Sequence, residues 1–444
     1  MNELLAQLGG TAWTAVFFII GLSIIVFVHE YGHYIVGRWT GIHAEVFSIG
    51  FGNVLWKRTD KRGTQWQIAA IPFGGYVKFL GDADASSTRP GDLSGLSAEE
   101  RRHTMTGAPL WARAATVLAG PVANFILAFA LYAALILFMG VIREEPTVGK
   151  MRALPAAGES LREGDVILSM NGAKTPDWDA FATVKADLKG QTTITYALLR
   201  DGKEIQVTGP HPNAVIVDDV TLRSAALDAG IMVGDVVLRA GGQDIVEFSQ
   251  LVTVVTGSGG KPIPLTIWRD GKSIDLMLTP RMQIAPDNAT GELTERYLIG
   301  LSSNGLVFEP GLRPAGVWDA LSGAAVAMQT MTVTMFSGLN RMVTGMISSC
   351  GLSGAIGMAQ TIGDAARVGL DTFVMVLAGL SLGIGVMNLF PIPVLDGGHL
   401  VFHAYEAVTR RAPPPRVLNF LMTVGLTLVI GLMVFALSRD LVCG

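Results

Sequence analysis

Long apolar runs, separated by charged and glycine-punctuated stretches, make the first division of the chain. Four runs are long enough to cross a bilayer, which takes about 20 apolar residues: about 13–37, 121–142, 372–390 and 417–437. Pro121 opens the second run, a residue suited to the first turn of a helix. Between the first two runs, residues 44–56 and 65–80 read AEVFSIGFGNVLW and QWQIAAIPFGGYVKFL. Their β-branched and aromatic residues, broken by glycines, predict strands rather than helix. A long polar insert separates the second run from the third, and it contains a repeat. EGDVILSMNG (163–172) aligns with VGDVVLRAGG (233–242), and LLRDGKEIQV (198–207) with IWRDGKSIDL (267–276), at offsets of 70 and 69 residues. Each copy combines short β-rich runs, a helical stretch and a Gly-rich hairpin, and the proline-bearing TGPHPNA (208–214) reads as a linker. Beyond the repeats, Trp318, Leu321, Ala325, Met328, Met335, Leu339, Met342 and Met346 recur at roughly helical spacing. They predict an amphipathic helix over about 315–349, lying on a membrane face or turning a Met-lined packing stripe to other helices.

Composition sharpens the class. The chain has 444 residues, 50% hydrophobic and only 16% charged, where a soluble domain carries about a quarter charged residues. The expected fold is a polytopic α-helical membrane protein with four transmembrane helices, a membrane-associated β-loop and an α+β insert. Length allows roughly two to four domains. The boundaries fall at 1–143 (first membrane part), 144–210 and 213–282 (the repeats), 283–370 (post-repeat region) and 371–444 (second membrane part). A net charge of −4 argues against nucleic acid as the main partner. Cys350 and Cys443 form neither a disulfide framework nor a CxxC site, and a bridge between them stays open. The N-terminus has no basic region ahead of its long apolar run, so that run reads as a retained span. Arg38, Lys57, Arg58, Lys61 and Arg62 follow the first run, and Arg410, Arg411 and Arg416 lie between the third and fourth. By the positive-inside rule these loops face the cytoplasm, and both termini and the insert face outward.

The chemistry sits where a span should be purely apolar. HEYGH places His29 and His33 four residues apart, one turn apart on one helix face, with Glu30 beside them. Two imidazoles so spaced can bind one metal ion, zinc first, and the glutamate can act as general base. A charged group at a helix centre in hydrocarbon costs about 2.5–3.5 kcal/mol, and no packing need offsets that. A catalytic zinc wants a third protein ligand and an open position. The best candidate is Asp396 in NLFPIPVLDGGHL (388–400). Pro391 and Pro393 break the helix there, and Gly397 and Gly398 allow close backbone approach. His399 competes as a ligand, and His403 is weaker. The HExxH sits in the latter half of an inward-running span, which puts the site near the cytoplasmic side.

HEYGH on a first span, NLFPIPVLDGG on a third and two repeats between them together resemble the site-2 protease family of intramembrane zinc metalloproteases. The tandem insert and four-span layout are similar to its RseP-like bacterial branch, and the repeats resemble bacterial PDZ domains. The resemblance implies that His29, His33 and Asp396 hold Zn2+, that Glu30 is the catalytic glutamate and that Asn388 assists at the oxyanion. It implies that GPVAN (120–124) lies beside the site and that its Asn124 contacts substrate. It also implies that Gly50, Gly52, Phe73, Gly74, Gly75 and Tyr76 of the β-loop, with Pro391, meet substrate. The implied activity is regulated intramembrane proteolysis in the bacterial inner membrane. Its substrates would be single-span proteins of the anti-sigma-factor type, with remnant signal peptides beside them. Another protease would cut first, and periplasmic PDZ domains would act as a size filter in an envelope stress response. Other readings remain: a membrane-anchored PDZ scaffold with a structural metal, a metal transporter, and a zinc protease whose HExxH lies outside the bilayer. The scaffold does not account for Glu30.

Overall fold

The computed structural model describes residues 2–82, 97–155, 161–188, 191, 193–221, 224–286, 293–303, 305–344 and 354–442. Cys350, Cys443 and the end of the expected 315–349 helix lie outside these residues. In chain order the described helices are α1 (Asn2–Trp39), α2 (Ala98–Arg102), α3 (Leu110–Met139), α4 (Trp178–Asp187), α5 (Ala225–Asp228), α6 (Phe248–Gly257), α7 (Val317–Val343), α8 (Ala355–Val368), α9 (Leu370–Asn388), α10 (Asp396–Thr409) and α11 (Pro415–Val442). The chain forms two compact units, Met1–Phe138 with Gly316–Gly444, and Met139–Ala315.

In the first unit, four segments are long and apolar enough to cross a membrane: Ala12–Trp39, Leu110–Met139, Leu370–Asn388 and Pro415–Leu441. The second starts well before residue 121. Pro121 is therefore interior to α3 rather than in its first turn. The preceding stretch, LWARAATVLAG, is rich in strong helix formers and carries the helix up to the proline. Within spans, a proline is tolerated where neighbouring groups satisfy the backbone it frees. Apolar side chains stay exposed on α1 (Ile19, Ile20, Ile24) and all along α11 (Phe420, Leu426, Leu428, Met433, Val434). Such surfaces suit lipid, not water. Inside the bundle, Phe18 and Ile25 of α1 pack with Ile362 of α8 and with Phe373 and Leu377 of α9. From α7, Met335 of the predicted stripe turns onto Gly383 of α9 and Met331, outside that stripe, onto Gly379, while Trp318, Leu321 and Leu339 remain exposed.

Strands β1 (Ala44–Thr59) and β2 (Gln65–Phe79) form an antiparallel pair in which each strand bends. Residues 44–49 pair with 75–79 on one side and with 65–68 on the other, and 54–59 pair with 65–69. The sheet thus has four segments, with 75–79 at one edge. Gly50 makes the bend: its φ is 87°, and a Cβ there would lie 2.8 Å from the Ile71 carbonyl oxygen and 2.9 Å from that of Ala69. Phe47 and Trp66 stack at 4.4 Å beneath Tyr34 of α1, which seats the sheet on the end of the first span.

In the second unit the sequence repeat is a structural repeat. Val166–Met170 lies between Ala173–Lys174 and Thr193–Arg200, and Lys203–Pro210 follows on the outside. Val236–Ala240, Gln243–Asp244, Ile263–Arg269 and Lys272–Leu278 repeat that order. Helices α4 and α6 bury Phe181 in one copy and Leu251 and Val255 in the other. The aligned GD and RDG motifs meet in space. Arg200 donates two hydrogen bonds to Asp165, both 2.7 Å, and Arg269 two to Asp235, both 2.6 Å. Each aspartate also accepts a backbone N–H from three residues earlier, Arg162 or Met232, at 2.8 Å. The following Asp-Gly pairs (Asp201 φ 52°, Gly202 φ 76°; Asp270 φ 49°, Gly271 φ 83°) take positive φ at both positions, as a two-residue type I′ hairpin demands. What recurs in the sequence is thus one buried carboxylate, its bidentate arginine and a tight turn.

Asp235 is 1% exposed, so removing it leaves the Met232 amide without its acceptor and the Arg269 guanidinium with the Gly230 carbonyl as its remaining partner among the described residues. Asp235→Ala should cost about 3 kcal/mol. In native-state proteolysis of the full-length protein, residues 230–280 should become cleavable at denaturant concentrations where the wild type is protected. Equal protection would contradict this role.

Candidate active site

On α1, His29 and His33 share a face, and α3 lies directly against it. A Cβ on Gly32 would sit 2.3 Å from the Ala119 carbonyl oxygen, so only glycine permits this approach. The reciprocal position is Gly120, where a Cβ would lie 2.3 Å from His33 Nε2 and 2.8 Å from His29 Nε2. Arg113, Thr116, Gly120 and Asn124 fall at i, i+3, i+7 and i+11, one stripe of α3. That stripe orients both rings. His33 Nδ1–H donates to the Thr116 carbonyl at 2.8 Å. His29 Nδ1 lies 3.2 Å from the buried Asn124 amide. The amide oxygen has no other partner among the described residues, so turned to the ring it accepts from Nδ1–H. Ser381 of α9 donates to the Asn124 backbone carbonyl at 2.9 Å, tying a third helix to the site. With both protons on Nδ1, both Nε2 lone pairs face the same point.

Asp396 comes from the other side. Helix α9 ends at Asn388, and the chain bends through 389–395, with Pro391 and Pro393 unable to continue it. Helix α10 then begins at Asp396 itself. Gly397 and Gly398 allow the new helix to sit on the bend: a Cβ on either would lie 2.3 Å from carbonyl oxygens of Leu389, Phe390 or Ile392. Asp396 Oδ2 stands 3.2 Å from His29 Nε2 and 3.5 Å from His33 Nε2, and the two Nε2 atoms are 3.2 Å apart. These three residues are the one such cluster among the described residues. A tetrahedron with metal–ligand bonds of about 2.0–2.1 Å has edges of about 3.3 Å. Asp396 Oδ2 is buried with no hydrogen-bond partner among the described residues. Three lone-pair atoms at this spacing repel unless a cation lies between them, so the donor set fits zinc.

Glu30 sits one residue from His29, and the Val77 N–H of the edge strand hydrogen-bonds its carboxylate. A cavity of about 750 Å³ opens over the site. Glu30, Gly75, Tyr76 and Asn388 line it, as do the three donors. A Cβ on Gly75 would press on the Ser48 carbonyl oxygen at 2.7 Å and on Glu30 Cγ at 3.2 Å, so glycine is needed there. Gly50, Gly52, Gly74 and Pro391 do not line the cavity; the glycines shape the sheet and the proline the bend. The Phe73 side chain falls outside the described residues. Asn124, expected to contact substrate, is fully buried against His29, because its amide is occupied in holding the ring. His399 faces the cavity one turn after Asp396 but stands outside the donor cluster. Burial, then the Arg113 charge and His399, pushes the His403 imidazole down to about 4, against the pull of Glu406.

Sequence reasoning placed Gly120, the first residue of GPVAN, beside the site but missed Thr116 as a support of the rings, although it lies at helical spacing from Asn124. It also missed Arg113 and Glu406, which pair through two hydrogen bonds of 3.0 and 2.7 Å on the cavity wall. The available signal was an arginine isolated in the apolar run LWARAATVLAG.

Comparisons with known proteins bear on this arrangement. The profile of peptidase family M50 matches residues 17–432. The regulator of sigma-E protease RseP of Escherichia coli (strain K12) is 36% identical over 458 residues, covering 96% of this chain and 98% of that protein. A protein of Agrobacterium fabrum (strain C58) bearing the name of a zinc metalloprotease is 34% identical over 445 residues, covering 99% of each. The regulator of sigma E protease of Salmonella typhimurium (strain LT2) is 34% identical over 466 residues, with 96% and 98% covered. A match that runs from the first span to the last, with relatives alike over their whole lengths, places the chain in peptidase family M50, the site-2 proteases, as a membrane zinc metalloprotease.

Proposed function

We propose that this protein cleaves single-span membrane proteins of the anti-sigma-factor type within the bilayer, after another protease has shortened their outer part. The observation that carries this reading is the triangle of His29 Nε2, His33 Nε2 and Asp396 Oδ2 at 3.2–3.5 Å inside an apolar helical unit. His29, His33 and Asp396 hold the zinc. Zinc lowers the pKa of a water to about 7 and polarises a carbonyl. Glu30 takes the water's proton and returns it to the leaving amine. Asn388, at the end of α9 on the cavity wall, donates to the developing oxyanion.

The substrate must be extended before it is cut, because a helix shields its own carbonyls. Edge 75–79 supplies the template. Among the described residues it pairs with β1 on one side only, and Gly75, Tyr76, Val77 and Phe79 line the cavity. A substrate strand adding there would lie beside Glu30. The basic residues after the first span and before the fourth support a cytoplasmic position for those loops. Both termini and the insert are then extracytoplasmic, with the site toward the cytoplasmic side of the inner membrane. The two repeats act as PDZ domains and exclude substrates whose outer part is still large.

The detergent-purified protein should cleave a model single-span substrate with a short outer tail. Glu30→Gln should bind zinc as the wild type does and lose about 10²–10⁴-fold in rate. Wild-type rates in that variant would sink the mechanism. Single prolines at Tyr76 and Lys78 should reduce cleavage about 10²-fold through misplacement of the substrate strand, with one zinc per chain retained. Unchanged cleavage would refute strand addition at this edge.

A further inference from the structure

Asp396 must meet two histidines that α3 already fixes, and it does so from the start of a separate helix, α10. Val401, Tyr405 and Val408 are exposed along α10. The bend at 389–395 fixes its first turn. Something else must fix its direction.

Asp396, His399, His403 and Glu406 fall at i, i+3, i+7 and i+10 and form the face of α10 that lines the cavity. The α3 stripe that holds the histidines begins at Arg113, which reaches Glu406. Arg113 Nη1 donates to Glu406 Oε2 at 3.0 Å and Nη2 to Oε1 at 2.7 Å, with both side chains largely buried. The two stripes therefore run antiparallel. The donor cluster closes one end and the ion pair the other, about 15 Å away along α10.

Neither charge suits its own helix. Arg113 is the fourth residue of α3, near the positive end of that helix dipole. Glu406 is the fourth residue from the end of α10, near the negative end. Each is disfavoured alone, and each compensates the other. The planar fork also sets an orientation, which a lysine would not do.

We propose that the Arg113–Glu406 pair is a positioning clamp that aims α10 so that the Asp396 carboxylate closes the zinc site. The proposal rests on the reading of His29, His33 and Asp396 as the zinc ligands. The clamp touches neither metal nor substrate; it acts through the direction of one helix.

The test is a zinc titration of the full-length detergent-solubilised protein against a chromophoric chelator, together with the visible spectrum of the cobalt-loaded protein. Glu406→Gln and Arg113→Gln should each weaken zinc binding about 10–100-fold. Each should move the cobalt spectrum toward that of Asp396→Asn. Arg113→Lys, which keeps the charge and loses the fork, should fall between wild type and Arg113→Gln, and provides the measurement if the Gln variants fail to fold. The double variant Arg113→Glu, Glu406→Arg should recover most of the affinity and the wild-type spectrum. Single variants that match the wild type in affinity and spectrum overturn the clamp alone. A His33→Ala variant that binds zinc as tightly as the wild type overturns the ligand assignment, and the clamp with it.

Discussion

Everything at the site depends on one close contact between two helices. At Gly32 and Gly120 the backbones of α1 and α3 approach so nearly that any Cβ would collide with a carbonyl or an imidazole. In lipid, helices gain little from burying apolar surface against each other, so packing at small residues and interhelical hydrogen bonds must hold them. Both are present at this crossing. The contact lets the Thr116 carbonyl and the Asn124 amide take the outer nitrogens of the two histidines. A polar cluster that would be costly in a bare span becomes a fixed pair of metal-facing lone pairs. Metal affinity in such a site is set as much by these outer partners as by the ligands.

The third donor arrives by a different physical route. A helix that continued past Asn388 would carry Asp396 away from the site. Two prolines stop it, and two glycines let the next helix start against the bend. Irregular backbone within a bilayer is tolerated only where protein or a cavity surrounds it, and Val394, Leu395 and Asp396 line the cavity. The cavity also admits the edge of the bent sheet, where Gly75 presses on Glu30 without a side chain to block the approach.

Much of this was legible in the sequence, and the reasons differ from case to case. His29, Glu30 and His33 were readable because helical spacing alone puts both histidines on one face and because ionisable residues in a span are expensive. Asp396 was readable because Pro391, Pro393, Gly397 and Gly398 announce a break. The repeat was readable as a pattern, but its cause was not: the Asp165–Arg200 and Asp235–Arg269 pairs join residues 35 and 34 positions apart. Long-range partners left weaker traces. Thr116 acts through its carbonyl, which no side-chain motif encodes, and Arg113 finds Glu406 across 293 residues. The start of α3 was misread because Pro121 looks like a helix opener, whereas strong helix formers before it carry the helix through. Asn124 was placed near the site, but its direction, toward His29 rather than toward the cavity, is a tertiary property.

On the proposed function, His29, His33 and Asp396 form one zinc tripod with a position left for solvent. Zinc K-edge X-ray absorption on the full-length detergent-solubilised protein tests it most directly. The tripod requires two imidazole nitrogens and two oxygens at about 2.0–2.1 Å, with one imidazole lost in His33→Ala. A sulfur scatterer, or a zinc shell that His33→Ala leaves unchanged, would contradict it.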